Sequence, residues 1–506
     1  MNIVDKTIRA ISPGWAYKRE RFRHALAAYE AAKPSRLRKT GADNSSGDSV
    51  VGKAGTTMRG YARQLEQNYD IAKGVLDVLV NNVIGAGGIN REPLPRKKDG
   101  TIHLDYAILL LTLWHDFARR PEVTWEHNYS CAERLAARTW LRDGELLAQM
   151  VEGTVVGMNH GTMVPFSFEL IEADHLPFDY TVPKQGITQG VERNAWGRPR
   201  AYHIYKNHPG DSVAMRFDFS TKRVPSERML HPKIVSRIRQ ARGVSVFASV
   251  MRRLEDLKDY EESERIAARV AAALTGYIKK GASENYNAPD GEETERTLKM
   301  KPGMIFDDLR EGEEVGTIDS KRPSSLLTPF HDAMLRFTAA GTGAGYSSIS
   351  RNYNGTYSAQ RQELVEGWGN YLILTNTWIS QFSQPVWERF VQACVLSGLA
   401  PIPDDLDINT IATADFRGPA MPWIDPEKEA KANRLLERCG YKSAQHIIRE
   451  RNGNPKDVMD QIAAWRKDAE SKGLIFETDA GQTSSSGAAQ NNLKEQGDEN
   501  NAKEED

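Results

Sequence analysis

The chain has 506 residues, of which 40% are hydrophobic and 27% charged, enough for two to four domains at roughly 100–200 residues each. Lys and Arg number 67 and Asp and Glu 68, and this net charge of −1 argues against a dedicated nonspecific DNA wrapper. Cys131, Cys394 and Cys439, odd in number and widely spaced, exclude a disulfide scaffold, and no CxxC or Cys/His cluster suggests zinc.

The first 24 residues are basic but lack the apolar run of about 7–15 residues that marks a secretory signal. The apolar stretches 106–114 and 267–278 fall short of the ~20 residues that span a bilayer. The expectation is a soluble, intracellular chain. Residues 1–60 carry twelve Lys/Arg against five Asp/Glu, and 40–57 read as a flexible linker after a basic arm. Residues 478–506 hold seven acidic and two basic residues with almost no apolar ones, the composition of a disordered tail.

Between these ends, Tyr61, Leu65, Tyr69, Ala72, Leu76 and Leu79 recur at helical spacing and stop at Gly85-Ala86-Gly87-Gly88. Tyr106–Phe117 and Ala132–Arg142 continue the helical pattern. From about 145 to 235 it gives way to short β-branched and aromatic runs between Gly, Pro and Asn turns, a mixed β region. The class is therefore α+β.

A long stripe follows: Phe247, Val250, Leu254, Leu257, then Ile266, Val270, Leu274 and Ile278. It predicts a helix over 245–280, roughly 54 Å long at about 1.5 Å per residue. KDYEESER (258–265) makes it half-solvated. Residues 297–320 read as short strands with turns at Pro302-Gly303 and Glu311-Gly312, carrying Asp307, Asp308, Glu311, Glu313 and Glu314. Thr328-Pro329 then starts a helix stopping near Gly341. A Gly/Ser/Asn/Tyr loop separates it from a helix over 358–397, striped by Leu364, Trp368, Tyr371, Leu374, Trp378, Phe382, Val386 and Phe390. Gly367 and Gly369, each costing about 1 kcal/mol in a helix interior, predict a kink or a close backbone approach. Asp425-Pro426 and Asn454-Pro455 each open a further helix.

Enzyme signatures are weak. Gly47–Ala54 nearly matches a phosphate-binding loop, but Ala54 stands where the magnesium-holding hydroxyl belongs and no strand precedes it. Gly341–Gly345 and Gly85–Gly88 follow helices, not the strand that a dinucleotide turn needs. His115-Asp116 and Asp174-His175 have no nucleophile context, and the eleven histidines form no metal pair. No catalysis, metal or cofactor is expected.

Seven segments in order carry a family resemblance: 59–88, FELIEADHL (168–176), 190–211, 240–264, KPGMIFDDLREGEEV (301–315), 352–368 and WIDPEKEAKAN (423–433). With them the chain resembles the portal proteins of lambda-type tailed bacteriophages over about residues 15–475. GWGN (367–370) and the acidic tail depart from the pattern.

The resemblance implies a ring, typically of twelve copies, at one capsid vertex, conducting double-stranded DNA during packaging and ejection. It implies a basic arm and linker (1–60), an α/β wing (61–244), a first stem helix (245–280), a clip (281–325) and a second stem helix (326–342). A tunnel loop (343–357), a long wing helix (358–397) and a helical crown (398–475) follow, and the disordered acidic tail (476–506) lies beyond the family's pattern. Arg351, Asn352, Tyr353 and Asn354 would face DNA through backbone contacts that position without reading sequence. Asp307, Asp308, Glu311, Glu313 and Glu314 would dock the large terminase subunit and then a head-completion protein. The major capsid protein and scaffold are further implied partners, and membranes are not. Charges of the first stem helix, Arg252, Arg253, Glu255 and Asp256 with 258–265, would pair between copies. The alternatives are a nucleotide-binding enzyme built on Gly47–Lys53, and a scaffold or adaptor without a channel.

Overall fold

The computed structural model describes residues 12, 14–15, 44–211, 220–273, 277–280, 313–316, 327–422, 425–474 and 476. The chain divides into Met1–Val50 and Val51–Asp506. In the first unit, the described residues include an exposed Trp15 and the opening turn of a helix. Apart from the first residues of one helix that crosses this boundary, everything below concerns the second.

Helix α1 (Gly47–Asn68) includes residues read as a linker, and the helix expected from Tyr61 onward breaks at Tyr69, whose extended backbone starts α2 (Asp70–Val83). Gly52 and Gly55 explain why that glycine-bearing segment is helical. A Cβ at Gly52 would lie 2.5 Å from Gln189 Nε2, and one at Gly55 2.5 Å from Phe178 Cζ, so α1 lies flush on the following layer. Strand β1 (Asn90–Pro93), α3 (Leu104–Phe117) and α4 (Tyr129–Asp143) follow.

The expected β region holds two antiparallel sheets. β2 (Leu147–Glu152) pairs with β3 (Phe166–Ile171), Met150 opposite Phe168, and with β8 (Met229–Leu230). The second sheet runs in order β4 (Ile187–Thr188), β5 (Val191–Arg193), β6 (Pro199–Tyr205) and β7 (Thr221–Pro225). Leu147, Ile171, Tyr202, Ile204, Val224 and Met229 form the apolar layer between them. The run VAMRFDFS lies outside the described residues except for Ser220.

Helix α5 (Met251–Ala273) is shorter than expected, because Tyr277–Lys280 forms strand β9 and pairs antiparallel with β10 (Glu313–Gly316). The ladder satisfies backbone groups there, and apolar spacing of four alone does not distinguish the two states. Then come α6 (Leu327–Thr342), α7 (Tyr346–Ser350) and α8 (Tyr357–Trp378). A π turn over Ile379–Ser383 joins α8 to α9 (Gln384–Leu396). Pro385 lacks an N–H for the preceding turn, so the helix widens without breaking. Buried Glu133 accepts from Ser383 Oγ at 2.7 Å and from the Ile89 N–H at 2.8 Å, pinning that turn.

Strand β11 (Ala414–Arg417) pairs with β1, and α10 (Pro426–Arg438), α11 (Ala444–Glu450) and α12 (Pro455–Ser471) complete the order. Asp425 and Asn454 cap α10 and α12, as their Pro-led sequences predict. The main core gathers Trp114, Phe117, Phe166, Trp378, Phe382, Trp387 and Phe390 between the helices and the first sheet, with Trp114 edge-on to Phe390 at 5.0 Å. Among the described residues, no helix is long and apolar enough to cross a membrane.

Candidate functional site

Helix α5 leaves the core. Its first turns are buried through Met251, Leu254 and Leu257, whereas Ile266 is 51% exposed. Helix α6 returns antiparallel to it, as four contacts in reversed order show. Ser249 Oγ donates to the Gly341 carbonyl at 3.4 Å, Arg253 lies over the Phe337 ring at 4.7 Å, Tyr260 meets Phe330 at 4.8 Å, and His331 Nε2 lies 2.9 Å from Glu261 Oε1. Gly341 sets the spacing: a Cβ there would stand 2.3 Å from Val250 Cγ1. The helices are thus closest at the core end, and β9 and β10 pair beyond their other end.

Glu261 is engaged inside the subunit. It also accepts from the Tyr69 hydroxyl at 3.2 Å, and burial together with the Glu261 charge raises that phenol's pKa, keeping it a donor. One charge of the 258–265 interval is therefore anchored in its own chain. Of the acidic cluster expected on the strands, Asp307, Asp308 and Glu311 lie outside the described residues, while Glu313 and Glu314 sit in β10 opposite Lys280 and Lys279.

The segment after α6 is more ordered than its composition suggests. Gly343, at φ 76°, ends α6, and residues 346–350 form helix α7 with Ile349 buried. Glu363 on α8 holds it, accepting from the Ser347 N–H at 2.8 Å and from Ser347 Oγ at 2.6 Å, and Tyr371 OH accepts from the Gly345 N–H at 3.0 Å. Only 351–356 projects as loop. Arg351 opens it in the left-handed region, φ 55°, with its side chain exposed. Asn352 is half-buried and its Oδ1 accepts from the Asn354 N–H at 3.1 Å, while Tyr353 is 56% exposed and its carbonyl accepts from Gln360 Nε2. The four expected residues are contiguous, with Arg351, Tyr353 and Asn354 outward. Glu363 was missed because a lone glutamate on a helix gives no sign of what it holds.

Among the described residues, Gly367 and Gly369 neither interrupt their helix nor make a close approach. Helix α8 passes through them, and a Cβ at either would meet nothing within 4 Å.

The enzyme-like motifs dissolve into structure. Gly47–Lys53 is helical, not a phosphate-cradling loop. Gly88, at φ 79°, sits where a Cβ would be 2.7 Å from Glu133 Oε2, a packing role. Asp116 accepts from the Met163 N–H at 3.0 Å, and His175 Nδ1 lies 3.0 Å from the Tyr205 carbonyl, so neither His/Asp pair acts as a dyad. Glu172, Asp174 and His208 cluster within 4.8 Å, yet Arg63 Nη2 reaches Asp174 at 2.5 Å and Glu172 at 3.5 Å. A guanidinium already meets that charge.

The model of the phage portal protein family, lambda family, matches residues 33–374. The chain is 25% identical over 454 residues to a probable portal protein of Halomonas phage phiHAP-1, covering 86% of this chain and 85% of that one. It is 19% identical over 339 residues to portal protein B of Escherichia phage lambda, covering 61% and 63%. Among solved structures, the neck of a native gene transfer agent particle aligns with TM-score 0.45 and 12% identity, over 80% of this chain and 99% of that one. With more than half its length matched by the family model, this chain belongs to the lambda family of phage portal proteins.

Proposed function

We propose that copies of this chain close into a ring, typically of twelve, whose axial channel conducts double-stranded DNA during packaging and ejection. The family is structural, and the chain serves as a portal subunit at the capsid vertex. The observation that supports the channel is the α5–α6 excursion. Two antiparallel helices carry the chain away from its core to a strand pair and back, with Ile266, Phe330 and Phe337 exposed along them. On this reading α5 and α6 are the stem, 281–325 the clip, 343–357 the tunnel loop, 358–397 the wing helix and 398–475 the crown. Cyclic symmetry would set each stem's front against its neighbour's back.

The exposed loop Arg351–Asn354, at the core end of the stem, would face the DNA. Arg351 would form one belt of positive charge, enough for sequence-independent contact and too little to stall transport by counterion release. The clip end, with Asp307, Asp308, Glu311, Glu313 and Glu314, would dock the large terminase subunit and then a head-completion protein. The outer wing would meet the major capsid protein and scaffold. Sedimentation velocity of the purified chain tests the assembly: a single large homo-oligomer is expected, and a monomer at micromolar concentration across several salt conditions refutes it.

A further inference from the structure

We propose that the β5–β6 turn and the loop before Gln240 form one basic surface that docks the acidic segment 478–506 of this chain, a role that does not rest on the ring or the channel. The two loops are joined, because Arg193 Nη1 donates to the Arg239 carbonyl at 3.0 Å. Each is also held from within. Asn194 Oδ1 accepts from the Trp196 N–H at 3.0 Å and the Arg198 N–H at 2.9 Å, which closes the β5–β6 turn. Buried Gln240 fixes the second loop: its Oε1 accepts from the Ser236 and Arg237 N–H groups, both at 3.3 Å, and its Nε2 donates to the Arg242 carbonyl at 2.7 Å. Arg239 sits in the left-handed region, φ 64°, to complete that loop.

What these fixed loops display is unusual for a solvated surface. Trp196 is 86% exposed and Ile238 96%, and Arg198, Arg200, Arg237 and Arg239 are exposed with them. Among the described residues, Arg198, Arg237 and Arg239 have no carboxylate at ion-pair distance. Glu192 on β5 is already engaged by Arg223 at 2.8 Å. A preorganised set of tryptophan and arginine side chains is the composition of a binding hot spot.

Charge selects the occupant. Residues 478–506 hold seven acidic and two basic residues, a net −5 in a chain whose total is −1, which leaves the other residues with +4. Six of the seven acids fall in 495–506, directly after Leu493, the segment's one large apolar residue. The acids meet the arginines, and Leu493 offers an apolar contact to the exposed tips. Reach is sufficient: the described chain ends at Phe476, packed on Trp465 at 5.2 Å, and the 30 residues beyond it span up to about 100 Å when extended.

Carbodiimide, which joins a carboxylate to an amine in contact with it, tests this in the full chain carrying Arg237→Lys and Arg239→Lys, exposed changes that keep the charge. Peptide mass analysis should find 495–506 joined to the lysines so introduced at low salt, and not at about 1 M salt, where the Debye length is about 3 Å. A second full-length variant carries Glu→Gln or Asp→Asn at 495, 498, 499, 504, 505 and 506. A segment with a Kd of about 0.1 mM, held at an effective concentration of about 1 mM, weakens a competing polyanion about tenfold. This variant should therefore bind a short DNA duplex about tenfold tighter than wild type, and adding Arg237→Glu with Arg239→Glu should cancel the gain. Absence of the salt-sensitive links, or a gain that survives the two Arg→Glu changes, overturns the proposal. Duplex binding equal in wild type and the amide variant, yet lost with Arg237→Glu and Arg239→Glu, would make nucleic acid the occupant and overturn it too.

Discussion

Arg242 and Glu145, neither exposed to solvent, face each other across 2.7 Å beneath the start of α5. Glu145 also accepts from Arg59 at 2.6 Å and from the Gly243 N–H at 2.7 Å, with His231 Nε2 at 2.9 Å. This one carboxylate ties α1, the first sheet and the root of the stem together. Gly144 and Gly243 make room for it, since a Cβ at Gly243 would stand 2.0 Å from the Gly144 carbonyl oxygen. Replacing one member leaves a buried charge without its counterpart, so Arg242→Met should cost about 3–5 kcal/mol. Glu145→Leu combined with Arg242→Met should cost less than the sum of the two singles. Urea unfolding midpoints of the three variants check both statements.

The same network makes stability depend on acid. Burial lowers the His231 pKa from 6.5 to about 4, against the raising pull of Glu145. Between those values the unfolded chain binds a proton that the native chain refuses. This contribution is therefore complete above 6.5 and lost as pH falls toward 4, by at most about 3 kcal/mol. Burial would raise the Glu145 pKa, but the Arg242 charge and the His231 contact outweigh it and hold the carboxyl well below its usual range. Its share is present above the ordinary glutamate value of 4.5 and lost only at still lower pH. Thermal midpoints measured from pH 7 to 4 should fall, and His231→Gln should flatten that slope.

Two glycines in the helical part should answer oppositely to alanine. Gly341→Ala drives a methyl into Val250 and should destabilise the α5–α6 pair by about 1–3 kcal/mol. Gly369→Ala meets nothing among the described residues and should stabilise the isolated subunit by up to about 1 kcal/mol. Denaturation of the dissociated subunit reads both.

In the loop, Glu363→Gln weakens the hold on Ser347 and should raise amide exchange over 346–350 without unfolding the chain. Arg351→Glu leaves that hold intact. Rings of this variant should form at wild-type levels but package or retain less DNA. Wild-type packaging by such rings would remove 351–354 from the channel.

The helices were legible wherever the apolar stripe and its punctuation agreed. The stripe from Trp368 to Phe390 is largely buried, and α6 begins at Leu327, beside the expected Thr328-Pro329 start. Periodicity failed where distant partners decide. Nothing local marks Tyr69 as a break between two helices, and nothing near Tyr277 announces a strand whose partner lies at Glu313. Over 47–57 the linker reading gives way to helix, because glycine signals flexibility alone but close packing when Gln189 and Phe178 lie across from it. The ionic knot at Glu145 was invisible for the same reason: its partners come from residues 59, 231 and 242. The loop Arg351–Asn354 was located by its place between two helices, while Glu363, which orders its neighbour, carries no motif.

A cryo-EM reconstruction of the purified assembly tests the channel most directly. It should show a closed ring with an axial opening, the Arg351–Asn354 loops facing the axis and the 277–316 segments at one end. Particles without a closed ring, or a ring with those loops turned away from the axis, would contradict the account.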